Sequence, residues 1–421
     1  MIPRHRPPFG MLNLLRSWAR TFIASLEVQQ LEQRWQRYLQ GPHVIWLPSA
    51  RYGIARVIQQ QTPADGRVFA SVFNCGAVRH ALQVTGRTVL WQDCAAGSFL
   101  ADYHNNSMQS CESDAIVLSE MFGHRFTSDC LNQPVVSDAG LRIFDLAMCL
   151  PTAADMQRLR DCDVAVCSFG LGKSLFTGWG GLAMTWCDHT AADFRRRLAH
   201  DLSSSTTIQR LKWDASVFGR TVAHSRPLYG RIRRRQNEAQ RQSNGADGAI
   251  TADAMFSEGS HEWNRPPTCR QIARALDNLN RVDEWRNRRA RLAERYCDVL
   301  SESCPQIIAQ DMTGTHDALS GLSHFSIRVP QQIRDDVSQH LNEGGVDVGR
   351  LFPLASDFDA RRYPEAAAAA SEVLNLPLSN QLSAQCVDRI ARLTAEAVHT
   401  ASASGPAVES ESELHSRPVA A

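Results

Sequence analysis

The sequence predicts an α/β protein built on a mostly parallel sheet. Three observations carry this prediction. From His43 onward, short apolar runs recur at 43–47, 67–72, 87–91, 114–118, 141–145 and 163–168. The segments between them, such as 51–61 and 75–85, have helical periodicity. Strands alternating with helices give a sheet covered on both faces. Finally, 421 residues with 43% hydrophobic and 21% charged side chains can bury a large core divided over two or three domains.

Taken in order, residues 1–10 are rich in Pro and Arg and read as extended. Residues 11–40 have helical spacing that turns Trp35 and Tyr38 inward. The stretch 164–187 holds five glycines and Lys173, which reads as strand, loop, strand. Residues 195–250 break the rhythm: they are polar, arginine-rich and helical, with a loop at 243–248. One long amphipathic helix, straight or kinked, is predicted over 268–302. A second α/β unit follows, with a strand at 322–329, a helix at 331–343, then Gly344-Gly345 and a short strand. Ala366–Ala370 lies in a helix, Leu374–Leu378 is strand-like but interrupted by Pro377, and a final helix covers 382–400. The domains expected are an N-terminal arm and helix (1–42), a large domain (43–285, with the insert at 195–250), a small domain (286–401) and a disordered tail (402–421).

Composition excludes several function classes. The net charge of +1 gives no general electrostatic case for nucleic acid, and no recognised nucleic-acid module surrounds the arginines. The 12 cysteines form no C-x-x-C pair and have no His pair at zinc spacing, so they read as reduced thiols of a cytoplasmic protein without a metal site. Arg16 and Arg20 interrupt the early apolar stretch Met11–Val28, which argues against a secretory signal. No window has the roughly 20 apolar residues of a spanning helix.

The basic residues are more telling. Lys and Arg total 45, and only Lys173 and Lys212 are lysine. A lysine retained in such a chain suggests a need for an amine, because a guanidinium is a poor nucleophile. Lys173 lies in Ser168-Phe169-Gly170-Leu171-Gly172-Lys173-Ser174, followed by Gly178-Trp179-Gly180-Gly181. A phosphate loop of NTPases would need glycine at 167, which is Cys, and a long helix after the lysine, where glycines follow instead. The alternative is a Schiff-base lysine on a flexible turn. Pyridoxal phosphate requires such an amine, and also a carboxylate facing its pyridine nitrogen. Asp145 ends the apolar run Leu141-Arg142-Ile143-Phe144, and the carboxyl ends of strands are where open α/β sheets bind ligands.

These residues sit within a longer series of motifs. Pro48-Ser49-Ala50-Arg51, Phe73-Asn74-Cys75 through His80-Ala81 and Gly86, and Met121-Phe122-Gly123 come first. Asp145-Leu146-Ala147-Met148, Ser168-Phe169 with Lys173 and Gly180-Gly181, Trp263-Asn264-Arg265, and Leu376-Pro377-Leu378 follow. In this order the sequence resembles the DegT/DnrJ/EryC1/StrS sugar aminotransferase family of pyridoxal-phosphate enzymes. The resemblance implies the type I fold: a large domain with a mostly parallel seven-stranded sheet between helices, plus a small α/β C-terminal domain. It implies that Lys173 carries pyridoxal 5'-phosphate and moves protons, and that Asp145 holds the pyridinium. Ser168 and the amides of Ala50 and Arg51 would bind the phosphate, Cys75 would lie over the ring, and Asn264 would reach the phosphate of the other subunit of a homodimer. The reaction the resemblance implies is amino transfer from an amino acid, with glutamate the expected donor, to a keto group of a nucleotide-activated sugar. Lysine at 173 argues against the dehydratase branch, which has His there.

Four positions depart from the family pattern. They are Cys75 for a stacking aromatic, Glu120 for His, Met148 for Gln or His, and Trp179 for Glu. They motivate a second reading, a non-catalytic relative acting as a binding or regulatory module. Arg231, Arg233, Arg234 and Arg235 read either as a solvated helix face or as a patch for a diphosphate or a membrane surface. Arg286, Arg288, Arg289 and Arg291 read as the exposed side of the long helix. Tyr296 and Trp285 read as core. His124 and His324 read as packing residues or substrate contacts.

Overall fold

Seven strands form one sheet: β1 (His43–Leu47), β2 (Arg67–Ser71), β3 (Thr88–Gln92), β4 (Ala115–Ser119), β5 (Leu141–Asp145), β6 (Val164–Ser168) and β7 (Gly181–Thr185). The computed structural model describes residues 1–4, 6–8, 10, 14–19, 27–104, 109–224, 228–233, 235, 265–309 and 316–404. The strand order is β1-β7-β6-β5-β4-β2-β3. Only β7 runs against its neighbours, β1 and β6. Alternate residues of the strands face opposite ways. Val68, Ala70, Val117, Ile143 and Val166 pack on one side, and Phe69, Ile116, Leu118, Phe144 and Cys167 on the other. With both faces covered, each strand reads as a continuous apolar run rather than an alternating one.

Helices α1 (Val28–Tyr38), α2 (Ala50–Gln61), α3 (Gly76–Gln83) and α4 (Asp188–Asp201) belong to the large unit. Ser49 caps α2, its hydroxyl accepting from the Tyr52 amide at 3.1 Å. Trp35 is fully buried, whereas Tyr38 is half-buried and donates to Asp283 at 2.8 Å. The small sheet pairs β8 (Phe325–Arg328) antiparallel to β9 (Val373–Leu376). It packs with α8 (Gln331–Glu343), α9 (Pro364–Glu372) and α10 (Ala384–Ser404), described below with their neighbours.

The structure corrects four expectations. Residues 268–302 are two helices, Cys269–Leu279 and Val282–Ser303. Arg281 leaves helical geometry (φ −123°, ψ 3°), and Arg34 donates to the Asn280 side chain at 2.9 Å. The bend lets the first helix stay against the lysine loop while the second crosses to the small sheet. Residues 195–201 belong to α4, which buries Ala191, Phe194 and Leu198 on the sheet, so the insert proper begins later, with α5 (Thr207–Ala223). Directly after Gly344-Gly345 and before α9 no strand forms; there are only single bridges from Val346 to Ile2 and from Gly349 to Asn375. The last helix continues through Ser404. The loop at 243–248 and the tail from 405 lie outside the described residues. No described helix is long and apolar enough to cross a membrane.

Gly181 shows how tightly the β6–β7 edge is built. A Cβ there would lie 2.1 Å from the Cys167 carbonyl oxygen and 3.3 Å from the Ala50 amide nitrogen. Backbone cannot yield as a side chain can, so Gly181→Ala should destabilise the protein by about 3 kcal/mol, the upper end for overpacking. Urea denaturation of the variant measures this, and an unchanged midpoint would refute the close approach.

Candidate active site

Three strand ends converge at one edge of the large sheet. Ser119 pairs with Asp145 in register, and Asp145 pairs with Val166. Ser168 and Leu47 both face Gly181 across β7. Asp145 is buried at 7% exposure, and its carboxylate accepts from the Ala147 amide at 3.0 Å and from the Ser119 hydroxyl. Asn74 extends this contact by donating to Ser119 Oγ at 2.7 Å. Burial raises the Asp145 pKa above the ordinary carboxylate value, while the charge of Lys173 pulls it back. The charge of the amine therefore reaches the buried acid.

Lys173 sits on the loop between β6 and β7. The loop closes on itself: Phe169 donates to Gly180 O at 2.8 Å, and Thr177 donates to Phe169 O at 3.0 Å. Two further helices hold it, α6 (Cys269–Leu279) and α7 (Val282–Ser303). From α6, Gln271 donates to Trp179 O, Arg274 to Thr177 O at 3.0 Å and Asn278 to Phe176 O at 3.2 Å. From α7, Arg289 donates to Ser174 Oγ at 2.5 Å. Arg274 is itself buried and paired with Asp214 of the helix Thr207–Ala223 at 3.1 Å.

Cys75 lies at the N-terminus of α3. Lys173, Asp145 and Arg51 all act electrostatically on its thiol, and burial pushes that thiol's pKa up. The N-terminus of α2 brings Ala50 and Arg51 beside β7, and Ser168 stands at the end of β6, its hydroxyl accepting from the Gly170 amide at 3.2 Å. The structure thus gathers Ala50, Arg51, Cys75, Asp145, Ser168 and Lys173 around one sheet edge. Trp263 and Asn264 lie outside the described residues.

The small sheet supplies the other wall. A Cβ at Gly123 (φ +102°) would lie 2.5 Å from the Gly321 carbonyl oxygen, so the turn Met121–Gly123 meets residues 321–323 backbone to backbone. Ser323 donates its amide to Phe122 O at 2.8 Å, which sets the following His324 inside. His324 is fully buried, and burial with the charges of Arg289, Lys173 and Arg4 lowers its pKa to about 3. A cleft between the two walls is lined by Arg4, Arg6, Gly172, Lys173, Arg289 and Ser379, among others. Arg289 was expected on the exposed side of the long helix, yet it is 5% exposed. The bend before α7 and the docked loop carry it inside. Sequence reasoning also missed Asn74 and Ser119, because nothing in their spacing distinguishes them from turn and strand residues.

Three of the four departures have structural occupations. Glu120 is buried between Arg125 (3.1 Å) and Arg158 (2.7 Å), and Asp155 pairs with both arginines. Met148 is buried in the core. Trp179 meets Trp213 edge-on at 5.6 Å, with the Arg265 guanidinium 5.4 Å from its ring. Arg233 pairs with Asp347 at 3.0 Å, so this member of the arginine run is not merely solvated.

The family model for the DegT/DnrJ/EryC1/StrS aminotransferases matches residues 270–394, from α6 into α10. Solved structures match along nearly the whole length. A putative sugar aminotransferase from Streptococcus pneumoniae, in its PMP form, is 18% identical with a TM-score of 0.67, over 95% of this chain and 100% of that one. An aminotransferase from Streptoalloteichus hindustanus is 16% identical with a TM-score of 0.70, over 96% and 100%. A sugar aminotransferase from Micromonospora echinospora is 16% identical with a TM-score of 0.67, over 94% and 100%. Residues 270–394 thus resemble this aminotransferase family, and the chain as a whole has the fold of these aminotransferase structures. No curated protein sequence matches it.

Arg274, Arg289 and His324 lie within the matched stretch, whereas Asp145 and Lys173 precede it. His324 yields a pH prediction. Its folded pKa lies below the ordinary value of 6.5, so in acid the unfolded chain takes up a proton that the folded one refuses. The stability it contributes is present above pH 6.5 and is lost as pH falls toward the folded value. Between pH 7 and pH 5 the loss should be about 2 kcal/mol. Urea midpoints of the wild type and His324→Gln at both pH values check this. Equal pH dependence in the two proteins would remove His324 from the buried cleft.

Proposed function

We propose that this protein is a pyridoxal-phosphate-dependent aminotransferase that moves an amino group from an amino acid, glutamate, to a keto group of a nucleotide-activated sugar. The observation that carries this reading is the charge of Lys173, on the loop after β6, acting on the buried carboxylate of Asp145 at the end of the neighbouring β5. The residues present fit the cofactor. A buried acid whose partners are one amide and one hydroxyl is completed by a cationic N–H, which a protonated pyridine provides. The start of α2 offers the amides of Ala50 and Arg51 to a phosphate, and the absent side chain of Gly181 leaves that approach open. When bound, pyridoxal phosphate supplies the electron sink for proton loss at the amino carbon.

The chain's own groups do the rest. Lys173 binds the cofactor through its amine and then carries the proton between reacting carbons. Asp145 keeps the ring nitrogen protonated, and Ser119 and Asn74 hold the carboxylate in place. Ser168 donates to the phosphate, and Cys75 packs on the ring face with less bulk than an aromatic. Glu120, Met148 and Trp179 are engaged in packing and ion pairs, so their departure from the family pattern does not favour a non-catalytic module. The protein works in the cytoplasm.

The lysine count supplies the first test. Lys173→Arg should remove the visible absorbance of the purified protein and its transaminase activity, because arginine's pKa above about 12 denies it a neutral nucleophile. Asp145→Asn should keep the absorbance but lose at least about 3 kcal/mol in the chemical step. Lys212→Arg should change little. A Lys173→Arg protein that stays yellow and active would sink the assignment.

A homodimer with shared sites follows from the role given to Asn264. Mixing Lys173→Ala subunits with Asn264→Ala subunits should restore part of the lost activity, since one hybrid site has both residues intact. Verified mixed dimers without activity would place each site within one chain.

A further inference from the structure

The insert after α4 exposes apolar side chains in a group. Among the described residues eight large apolar side chains are exposed, and four of them, Ile208, Leu211, Leu228 and Ile232, fall between positions 208 and 232. Ile208 (68%) and Leu211 (57%) are the most exposed of the eight. Apolar residues scattered singly over a surface are ordinary, whereas a cluster marks a contact with something else.

Only one face of α5 is held by the protein. Its buried residues are Asp214, Val217 and Thr221. Asp214 pairs with Arg274 at 3.1 Å and Arg270 at 3.4 Å, and Phe218 meets the Trp18 ring at 5.9 Å. Ile208, Leu211 and Ala215 follow the same helical spacing on a different face, and all three are exposed. Every residue from Thr206 to Lys212 is exposed, so the first turns of the helix stand clear of the rest. A merely solvated face would carry polar side chains where Ile208 and Leu211 stand.

The charge around these side chains has one sign. From Leu202 to Arg235 the sequence holds eight basic residues and a single acid, Asp214, which is buried and paired with two arginines. Arg210, Lys212, Arg220, Arg231 and Arg235 are exposed. The partner that fits is anionic at its surface and apolar beneath it. We propose that α5 and residues 228–235 dock this protein on a bilayer that contains anionic phospholipid. Ile208 and Leu211 enter the headgroup layer, and Arg210 and Lys212 meet the lipid phosphates. A second copy of the chain fits less well. A two-fold contact sets the same patch against itself, which would oppose these cations with no exposed acid between them. Nucleic acid would meet the cations but offers the apolar side chains no layer to enter.

Docking in this way places the cleft near the lipid. His224 follows α5 directly and lines the cleft with Lys173 and Arg4. The 17 residues of α5 span about 25 Å, so one helix length separates the docked end from the rim of the cleft.

The test is flotation of the purified full-length protein through a density gradient with vesicles. One set is phosphatidylcholine alone, and the other is phosphatidylcholine mixed with phosphatidylglycerol. The protein should float with the mixed vesicles, stay behind with the neutral ones, and detach as salt is raised, because salt screens the attraction. These comparisons use the wild type and need no variant to fold. Ile208→Ser combined with Leu211→Ser should weaken binding by about tenfold or more. Arg210→Gln combined with Lys212→Gln should do the same, since each charge near an anionic surface contributes roughly fivefold. All four side chains lie off the packed face of α5, so the thermal midpoint should not move. Equal binding to both vesicle types, no binding to either, or wild-type affinity in either double variant would overturn the proposal. Dissociation of a dimer by the serine pair in the absence of lipid would also overturn it, by giving the face to a second copy. Binding of duplex DNA in place of vesicles would do so too.

Discussion

The structure depends on keeping one glycine-rich loop in a single conformation. A loop with Gly170, Gly172, Gly178 and Gly180 loses much chain entropy when it is ordered. Its own turns recover little of that. The remainder comes from outside: Gln271, Arg274 and Asn278 donate to three of its carbonyls, and Arg289 to its serine hydroxyl. These donors belong to two helices joined by a bend, so the loop's order is coupled to the docking of the C-terminal part of the chain. Lys173 is placed by groups nearly a hundred residues away or more.

Electrostatics divides the cleft into two halves. On the sheet side, Asp145 is buried with neutral partners and Lys173 as its nearest cation. On the small-sheet side, Arg289, Arg4 and Arg6 line the cleft, with Asp347 behind Arg4 at 3.6 Å. A neutral His324 stands between, kept uncharged by burial and by those same cations. One wall thus carries a buried acid and the other a group of cations. Elsewhere buried charge is balanced within the protein, as in the cluster of Glu120, Arg125, Asp155 and Arg158.

The sheet and the acid–amine pair were legible in the sequence for physical reasons. Strands buried on both faces must be apolar throughout, and that texture survives without knowledge of neighbours. Asp145 marked a strand end because a lone acid closing an apolar run has few other places to go. Lys173 stood out because 43 of 45 basic residues are arginine. The register that sets Ser119 opposite Asp145, and the third strand neighbour that puts Gly181 against both Ser168 and Leu47, carried no such signature.

What the sequence determined by itself was therefore local: the period of each strand and helix, and the lysine at 173 that stands out among arginines. What the tertiary structure alone decided was the sense of the long-range pairings. Arg289 looked like a solvated helix residue because its helix is polar and several arginines surround it. It is buried because the chain bends at Asn280-Arg281 and presses that turn of helix onto the lysine loop. A residue's spacing along a helix tells which face it shares. It does not tell what will come to rest on that face, and that contact is what turns an ordinary arginine into part of the cleft.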